Sequence, residues 1–282
     1  MSIFKSVRAN RRGLTLIELV VVLVIVAVLA GVAIPLVSML TRSGNMAGSA
    51  SNQKELANNI ELYFTLQKRF PQGLDSLITA GTPAIYASDT TDANTQTIGL
   101  PYAGADGTRL QAQLQVTALT NGATPGTADY LRSFTRSGFD YVFDHDTAVI
   151  NASNSGTSQR ALSGSSVNVA EVIPWDGTGT APTGSTPGSL AAKLLPGGVP
   201  ATSKLVALGI GPRNLAIGKT LMNAPVYPGS DGKYYGRFIA VFQVYASGER
   251  ATLVGVIDPY GRTADYTVQQ FNESLPNGAR QD

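Results

Sequence analysis

Two sets of residues in this chain could take part in chemistry, and the first is a group of aspartates around a histidine. Asp140, Asp144, His145 and Asp146 lie in one short stretch, and Asp258 comes later in the chain. Oxygen atoms at alternating loop positions can bind Ca²⁺, but a calcium site needs six or more of them. The spacing here supplies no complete set of ligands. We therefore predict no metal ion and no cofactor.

The residue types that catalysis and metal binding use most often are scarce in this sequence. The 282-residue chain has one histidine and no cysteine, which excludes a two-histidine metal site, a thiolate site and a disulfide. No defined nucleophile pairs with His145. The triplet Gly218-Lys219-Thr220 lacks the first glycine of a phosphate-binding loop, because the required position holds Arg213. We predict that the protein is not an enzyme.

The second candidate is Glu18, which is the only charged residue between Gly13 and Arg42. The apolar segment that follows it, Leu19–Leu40, would be roughly 33 Å long as a helix, enough to cross the hydrocarbon core of a bilayer. A carboxylate at the edge of such a segment is unfavourable unless it has a partner. Glu18 either caps the helix, close to the positive end of its dipole, or has a partner elsewhere.

A basic leader precedes the apolar segment. Its four charged residues are Lys5, Arg8, Arg11 and Arg12. Without these four residues the formal charge changes from +2 to −2, because 17 basic residues remain against 19 acidic ones. The basic character therefore belongs to the leader, and we expect no binding of nucleic acid. Positive residues before an apolar segment stay in the cytoplasm, so the remainder of the chain should lie outside it.

Three general explanations of the apolar segment are open on these grounds alone. It could be a secretory signal peptide cut after Val28-Leu29-Ala30, although it is longer than such segments usually are and opens with an acid. It could be a plain single-span anchor, which leaves Glu18 without a role. It could be a buried core helix, which the unbroken series of Val, Leu and Ile disfavours.

The junction between leader and apolar segment resembles a known processing motif. Gly13-Leu14-Thr15-Leu16-Ile17-Glu18 is similar to the motif of type IV pilins and type II secretion pseudopilins. The resemblance implies that a prepilin peptidase cleaves between Gly13 and Leu14 and then methylates the new N-terminal amine of Leu14. It also implies that Glu18 faces the N-terminal amine of a neighbouring subunit after assembly. Pro35 matches the proline that members often carry, where a kink is expected.

The same resemblance implies a function, partners and a location. The protein would be a structural subunit of a type IV pilus-like or type II secretion pseudopilus filament. Its partners would be the prepilin peptidase, other pilin or pseudopilin subunits, an inner-membrane assembly platform, and membrane lipid before assembly. It would cross the bacterial inner membrane once, with its head outside the cytoplasm. The alternative from another class is a membrane-anchored exported domain that binds a ligand, or a hydrolase.

Four regions follow along the chain. Residues 1–13 form the leader, 14–40 the apolar helix, 41–70 its amphipathic continuation, and 71–282 a globular head. In the continuation, an apolar face at helical spacing is expected from Leu56, Ile60, Tyr63 and Phe64. The predicted fold is α+β and pilin-like, with the long helix packed on a C-terminal antiparallel sheet with long loops.

The head carries several shorter patterns. Strands are expected at Phe139–Phe143, Val167–Ile173, Leu205–Ile210 and Tyr266–Phe271, and a hairpin with a four-residue loop at Phe238–Tyr245 and Thr252–Ile257. Short helices are expected at Asp129–Phe134 and Leu190–Leu195. Stretches 151–166 and 176–189 are rich in Ser, Thr, Gly and Pro and are interpreted as surface loops.

Overall fold

The computed structural model describes residues 16–79, 85, 110–122, 127–145, 158–175, 189–228 and 235–274. Within these ranges the side chains of 32–40, 42–43, 111–112, 145 and 270–274 are not described. The chain divides into two compact units, Met1–Gly44 and Asn45–Asp282.

The first element is one long helix, α1, which comprises the 52 residues Leu16–Gln67. This agrees with the helix expected from the apolar and amphipathic segments. Lys68 then takes a left-handed φ of 60°, which is a common way to end a helix. Phe70 and Pro71 follow that end, and a proline cannot continue the helix. Pro35 lies within α1, and its side chain is outside the described residues.

The second half of α1 packs one face into the head. Leu56, Ile60 and Tyr63 are buried, and Phe64 packs partly against the same core. These are the four residues expected on the apolar face. Their spacing places them along one side of the helix, so the hydrophobic effect fixes this half against the sheet.

The head contains an eight-stranded sheet in the described residues. Its strands are β1 (Leu74–Thr79), β2 (Leu114–Thr120), β3 (Tyr141–His145), β4 (Ser158–Ala161), β5 (Ser166–Val172), β6 (Ser203–Gly209), β7 (Ile239–Tyr245) and β8 (Thr252–Ile257). The helices of the head are α2 (Tyr130–Arg136), α3 (Leu190–Leu194) and α4 (Ala264–Ser274), with a 3₁₀ turn at Leu110–Gln113.

Strand β6 is the centre of the sheet. Along one edge it pairs with β7 from Ser203 to Gly209. Its other edge is shared by two strands, because β5 pairs at Val206 and Ala207 whereas β1 pairs at Gly209. Strand β1 continues the sheet through β3, which it pairs in parallel, and β3 pairs with β4. The remaining pairs are antiparallel.

Both faces of this sheet are covered, and each face has its own core. The first core joins α1, α2 and alternate sheet residues such as Val206 and Phe242. The second joins Leu110, α3 and the intervening sheet residues such as Leu205 and Val241. Successive residues of a strand point to opposite faces of the sheet. Because both faces are covered here, these strands are apolar at nearly every position and do not alternate between apolar and polar residues.

Several expectations for the head are confirmed and others are wrong. The hairpin of β7 and β8 is present, with residues 246–251 between the strands instead of four. Both expected short helices are present, 129–134 as α2 and 190–195 as α3. Three expected strands are present as well: 139–143 as β3, 167–173 as β5 and 205–210 as β6. The strand expected at Tyr266–Phe271 is wrong, because these residues belong to helix α4.

The sheet also differs from the predicted C-terminal antiparallel one. It begins directly after α1 with β1, and it includes the parallel pair of β1 and β3. Strand β4 lies within 151–166, which was interpreted as a surface loop. Stretch 176–189 lies outside the described residues apart from Ser189, which is the N-cap of α3.

Candidate functional site: the N-terminal segment and the acidic clusters of the head

The residues of the processing motif lie at the very start of the described chain. Gly13, Leu14 and the four basic residues of the leader are outside the described residues. Glu18 lies in the first turn of α1 and is exposed. A carboxylate in this position is favoured by the partial positive charge at the helix N-terminus. The helix geometry alone therefore gives Glu18 a modest stabilisation.

The surface around Glu18 is a bare apolar helix. Residues 16–31 are all exposed within the described chain, and Leu16 and Ile17 are 82% and 71% exposed. Leu, Ile and Val form this surface on every side of the helix, so no polar face remains to be turned towards water. Such a surface is stable only when lipid or other protein covers it.

Among the residues whose side chains are described, no helix combines the length and the apolar character that crossing a membrane requires. The membrane-spanning role of residues 14–40 therefore stays a prediction.

The acids of the first sequence cluster are held by partners within the head. Asp144 on β3 is buried, where it accepts hydrogen bonds from Ser76 Oγ at 2.5 Å and from Arg160 Nη2 at 2.9 Å. Asp140 accepts a hydrogen bond from the side chain of Gln72. These contacts join β1, β3 and β4, so the two carboxylates have a structural role. Asp146 and the side chain of His145 are outside the described residues.

Asp258 is fully buried in the turn that follows β8. Its carboxylate accepts backbone N–H bonds from Tyr260 and Arg262, both at 2.9 Å, and a bond from Arg262 Nε at 2.8 Å. Burial raises the pKa of Asp258, and the nearby positive charge of Arg262 opposes that rise. Arg262 Nη2 also donates to Tyr227 Oη at 2.6 Å, and its guanidinium lies 4.9 Å from the Tyr260 ring centroid.

Asp75 on β1 forms a buried polar contact that the sequence analysis missed. Tyr235 Oη donates to its carboxylate at 3.0 Å, and both residues are almost completely shielded from water. The contact needs two glycines, because a Cβ at Gly209 would collide with the Tyr235 hydroxyl and one at Gly211 with the Asp75 carboxylate. The two glycines in Leu208-Gly209-Ile210-Gly211 were the available signal, since glycine permits such a close approach.

A further ion pair crosses three strands at the margin of the first core. Lys204 Nζ lies 3.2 Å from Glu171 Oε2 and donates to Thr117 Oγ1 at 2.8 Å. Glu171 is buried, and Gln115 Nε2 donates to it at 3.0 Å. Both charges of this set have a partner, and the contacts connect β2, β5 and β6.

Within the described ranges, no group of three His, Cys, Asp or Glu side chains is arranged to hold a metal ion. The carboxylates of Asp144 and Asp258 are instead neutralised by Arg160 and Arg262. Within the described residues, most of the exposed large apolar side chains lie on α1.

Comparison with known proteins agrees with this emphasis on the N-terminus. Residues 8–34 match the family model described as "Prokaryotic N-terminal methylation motif". This is the signature of type IV pilins and pseudopilins. It points to a pilin-like structural protein with prepilin processing. Neither a curated protein nor a solved structure matches the chain.

Proposed function

We propose that the protein is a filament subunit of the type IV pilus or type II secretion pseudopilus kind. It is made as a precursor, cleaved between Gly13 and Leu14 and methylated on the amine of Leu14. It then enters a polymer in which its apolar helix packs against the helices of other subunits. The observation that carries this proposal is the methylation motif at residues 8–34.

The exposed helix supports the mechanical part of the proposal. Residues 16–31 offer apolar side chains in all directions, which suits a helix enclosed by several neighbours rather than by one. Lipid covers this surface before assembly, and identical helices cover it afterwards. Because both environments are apolar, transfer from one to the other requires little change in hydrophobic free energy, and specific pairing decides the outcome.

Glu18 supplies that specific pairing. In the mature chain it stands one helical turn from the new N-terminus, in the first turn of α1. Its carboxylate pairs with the N-terminal amine of a neighbouring copy. In an apolar surrounding, an unpaired charge costs several kcal/mol, by order of magnitude, so the pair both relieves that cost and fixes the register of the two helices.

The proposal also fixes partners and location. The basic leader keeps the start of the chain in the cytoplasm, where the prepilin peptidase acts, and the head lies on the other side of the inner membrane. Assembly proceeds on an inner-membrane platform with other pilin or pseudopilin subunits.

Processing is tested by mass spectrometry of the mature N-terminus. The expected result is a chain that begins at Leu14 with one added methyl group, and Gly13→Val should leave the leader uncut because the peptidase must approach that backbone closely. A mature chain that starts at Gly31 would identify an ordinary signal peptide. An intact leader would identify a plain anchor. Either outcome refutes the proposal.

Assembly is tested by Glu18→Leu, with Glu61→Leu as the matched control. Glu61 is also an exposed acid of α1, but it lies in the half that packs on the head. The first variant should remain in the membrane and lose polymer, measured as sedimentable filament, whereas the second should assemble normally. An anchored binding domain or a hydrolase would tolerate Glu18→Leu without any change.

A further inference from the structure

The buried side of α1 changes its character between residues 45–53 and residues 56–67. In the second stretch it consists of large apolar side chains that belong to the first core. In the first stretch it consists of small or polar side chains and one methionine: Met46, Ser49, Ala50 and Gln53. Neither Met46 nor Ala50 belongs to either of the two cores of the described chain. Apolar burial therefore holds residues 45–53 less strongly than residues 56–67.

Gln53 is buried with half of its amide group unsatisfied. It is 1% exposed, and its Nε2 donates to Ser49 Oγ at 3.3 Å. Its Oε1 accepts no hydrogen bond from the described residues. On folding, this oxygen exchanges its hydrogen bonds to water for none, which is unfavourable. Local opening of the helix returns water to the oxygen and removes that cost.

Gly48 weakens the same stretch through its backbone. Glycine loses more conformational freedom than any other residue when it enters a helix, so it lowers helix stability relative to alanine. A Cβ at Gly48 would meet nothing within 4 Å in the described chain. Packing within the described chain therefore gives no reason for a glycine here. The boundary between the two compact units, at Gly44 and Asn45, falls close by.

The ion pair that follows this stretch adds little to its stability. Lys54 Nζ lies 4.0 Å from Asp265 Oδ1 on α4, and the two side chains are 64% and 95% exposed. Water screens a pair that is so exposed. Tyr63, further along α1, is by contrast buried in the first core, and Lys219 Nζ lies 5.4 Å from the centroid of its ring.

We propose that residues 45–53 of α1 are a labile segment, which unfolds locally while residues 56–67 stay helical and packed on the first core. Three features favour its opening: the small apolar area it buries, the unsatisfied amide oxygen of Gln53, and Gly48. An ordinary helix frays from its ends, and residues 61–67 lie much nearer to an end of α1 than residues 45–53 do. Opening inside the helix ahead of that end is the distinguishing property of the labile segment.

Local opening would allow the chain to lengthen at this position. The nine residues 45–53 span roughly 14 Å as a helix and roughly 30 Å when extended. In a filament under tension, that difference would let a subunit lengthen while its head stays folded. This use rests on the proposed function, whereas the local opening does not.

Hydrogen exchange of the full-length chain in detergent, measured by mass spectrometry of its peptides, tests the opening. Each exchange rate is divided by the rate of an unstructured peptide of the same sequence. On this scale residues 45–53 should exchange faster than residues 57–67 by roughly tenfold or more. Equal protection of the two stretches would overturn the proposal.

Two variants test the cause of the opening. Gly48→Ala should slow exchange in residues 45–53 by about two- to fivefold, because alanine favours the helix. Ser49→Ala/Gln53→Leu removes the unsatisfied oxygen together with its neighbour's hydroxyl, and should slow exchange there by about fivefold or more. If thermal unfolding shows that the double variant is damaged, Gly48→Ala decides alone, since nothing lies near its added methyl group.

The matched control is Thr65→Ala, at an exposed position of α1 in the packed stretch. It also replaces a weaker helix former by alanine, but it should leave exchange in residues 45–53 unchanged. If Gly48→Ala has no effect there, or if Thr65→Ala slows exchange as much, the opening is not that of a local segment and the proposal is wrong.

The outcomes separate this inference from the proposed function. Hydrogen exchange on the single chain requires neither processing nor polymerisation, so a chain that forms no filament can still show the labile segment. A chain that polymerises through Glu18 but protects residues 45–53 and 57–67 equally would keep the filament proposal and refute the labile segment.

Discussion

Replacing Arg262 by leucine should destabilise the head strongly, and more at neutral pH than in acid. In the parent chain Arg262 Nε lies 2.8 Å from the fully buried carboxylate of Asp258, and its other end reaches Tyr227. Arg262→Leu keeps much of the side-chain volume but removes the charge. Asp258 is then left as a buried carboxylate with only two backbone N–H donors.

Breaking a buried ion pair from one side costs about 3–5 kcal/mol of unfolding free energy. The packing of the guanidinium on Tyr260 and Tyr227 adds about 0.5–1 kcal/mol, since it is partly shielded from water. We therefore expect a loss near the upper part of that range at pH 7. The double variant Asp258→Asn/Arg262→Leu should lose less unfolding free energy than Arg262→Leu, because it removes both charges.

The pH dependence follows from the buried acid. Burial already raises the pKa of Asp258 in the folded protein, and loss of Arg262 raises that pKa further. A raised folded-state pKa means that the folded state prefers the protonated acid. The stability gained from protonated Asp258 is complete below the ordinary pKa of Asp, and it is lost as pH rises through the folded-state pKa of this residue. The deficit of Arg262→Leu should therefore shrink as the pH is lowered from 7 towards 4.

Urea unfolding of the full-length chain in detergent, followed by the fluorescence of its single tryptophan, Trp175, measures these differences. The double variant lacks the titrating pair and corrects for other carboxylates. Arg250→Leu, at an exposed position, should stay within about 0.5 kcal/mol of the parent. A loss below about 1 kcal/mol at pH 7, or a loss that does not diminish in acid, would refute the reasoning.

Three further substitutions test other contacts by the same unfolding measurement. Gly211→Ala should cost about 1–3 kcal/mol, because its methyl group would collide with the buried Asp75 carboxylate, and an unchanged midpoint would contradict that contact. Gly48 lies within α1, and nothing is near the methyl group that Gly48→Ala would add, so this change should stabilise the protein by about 0.5–1 kcal/mol. A loss of unfolding free energy would mean that the helix requires glycine at this position. Ile60→Ala should cost about 2–5 kcal/mol and Leu62→Ala much less, since only the first is fully buried, and equal costs would overturn the assigned packing face.

The long helix was accessible from the sequence because its signals are local. Its apolar segment is unbroken and long, and the face formed by Leu56, Ile60 and Tyr63 repeats with the helical period. The aromatic-proline pair at 70–71 marks its limit. The hairpin of β7 and β8 was accessible for the same reason. Two apolar stretches separated by turn residues need no distant partner to be recognised.

Helix α4 was mistaken for a strand because its composition outweighed its capping signal. Tyr266 and Val268 favour a strand by residue type. However, Thr263 precedes the helix, its hydroxyl accepts the Tyr266 N–H at 3.4 Å, and Asp265 adds an acid in the first turn. These are start signals of a helix, and they were the better guide.

The buried contacts of Asp75 and Asp144 could not be predicted, because each joins residues that are not neighbours in the chain. Nothing near Asp75 indicates that Tyr235 will donate to it, and nothing near Asp144 indicates Arg160. Strand β1 was missed for a related reason. Its parallel partner β3 has no turn connecting the two, and Leu77 within it takes a left-handed φ of 61° that no strand pattern predicts.

The two strands that share one edge of β6 have a consequence for the order in which the head can form. Strand β1 follows α1 immediately, yet Asp75 finds its antiparallel partner only at Gly209, late in the chain. Until that residue is available, β1 keeps one edge unpaired, and the first core has no central strand. Contacts of such long sequence separation form slowly. The head is therefore completed in one late step after most of the chain has been made, and a chain interrupted before β6 would present open strand edges to other chains.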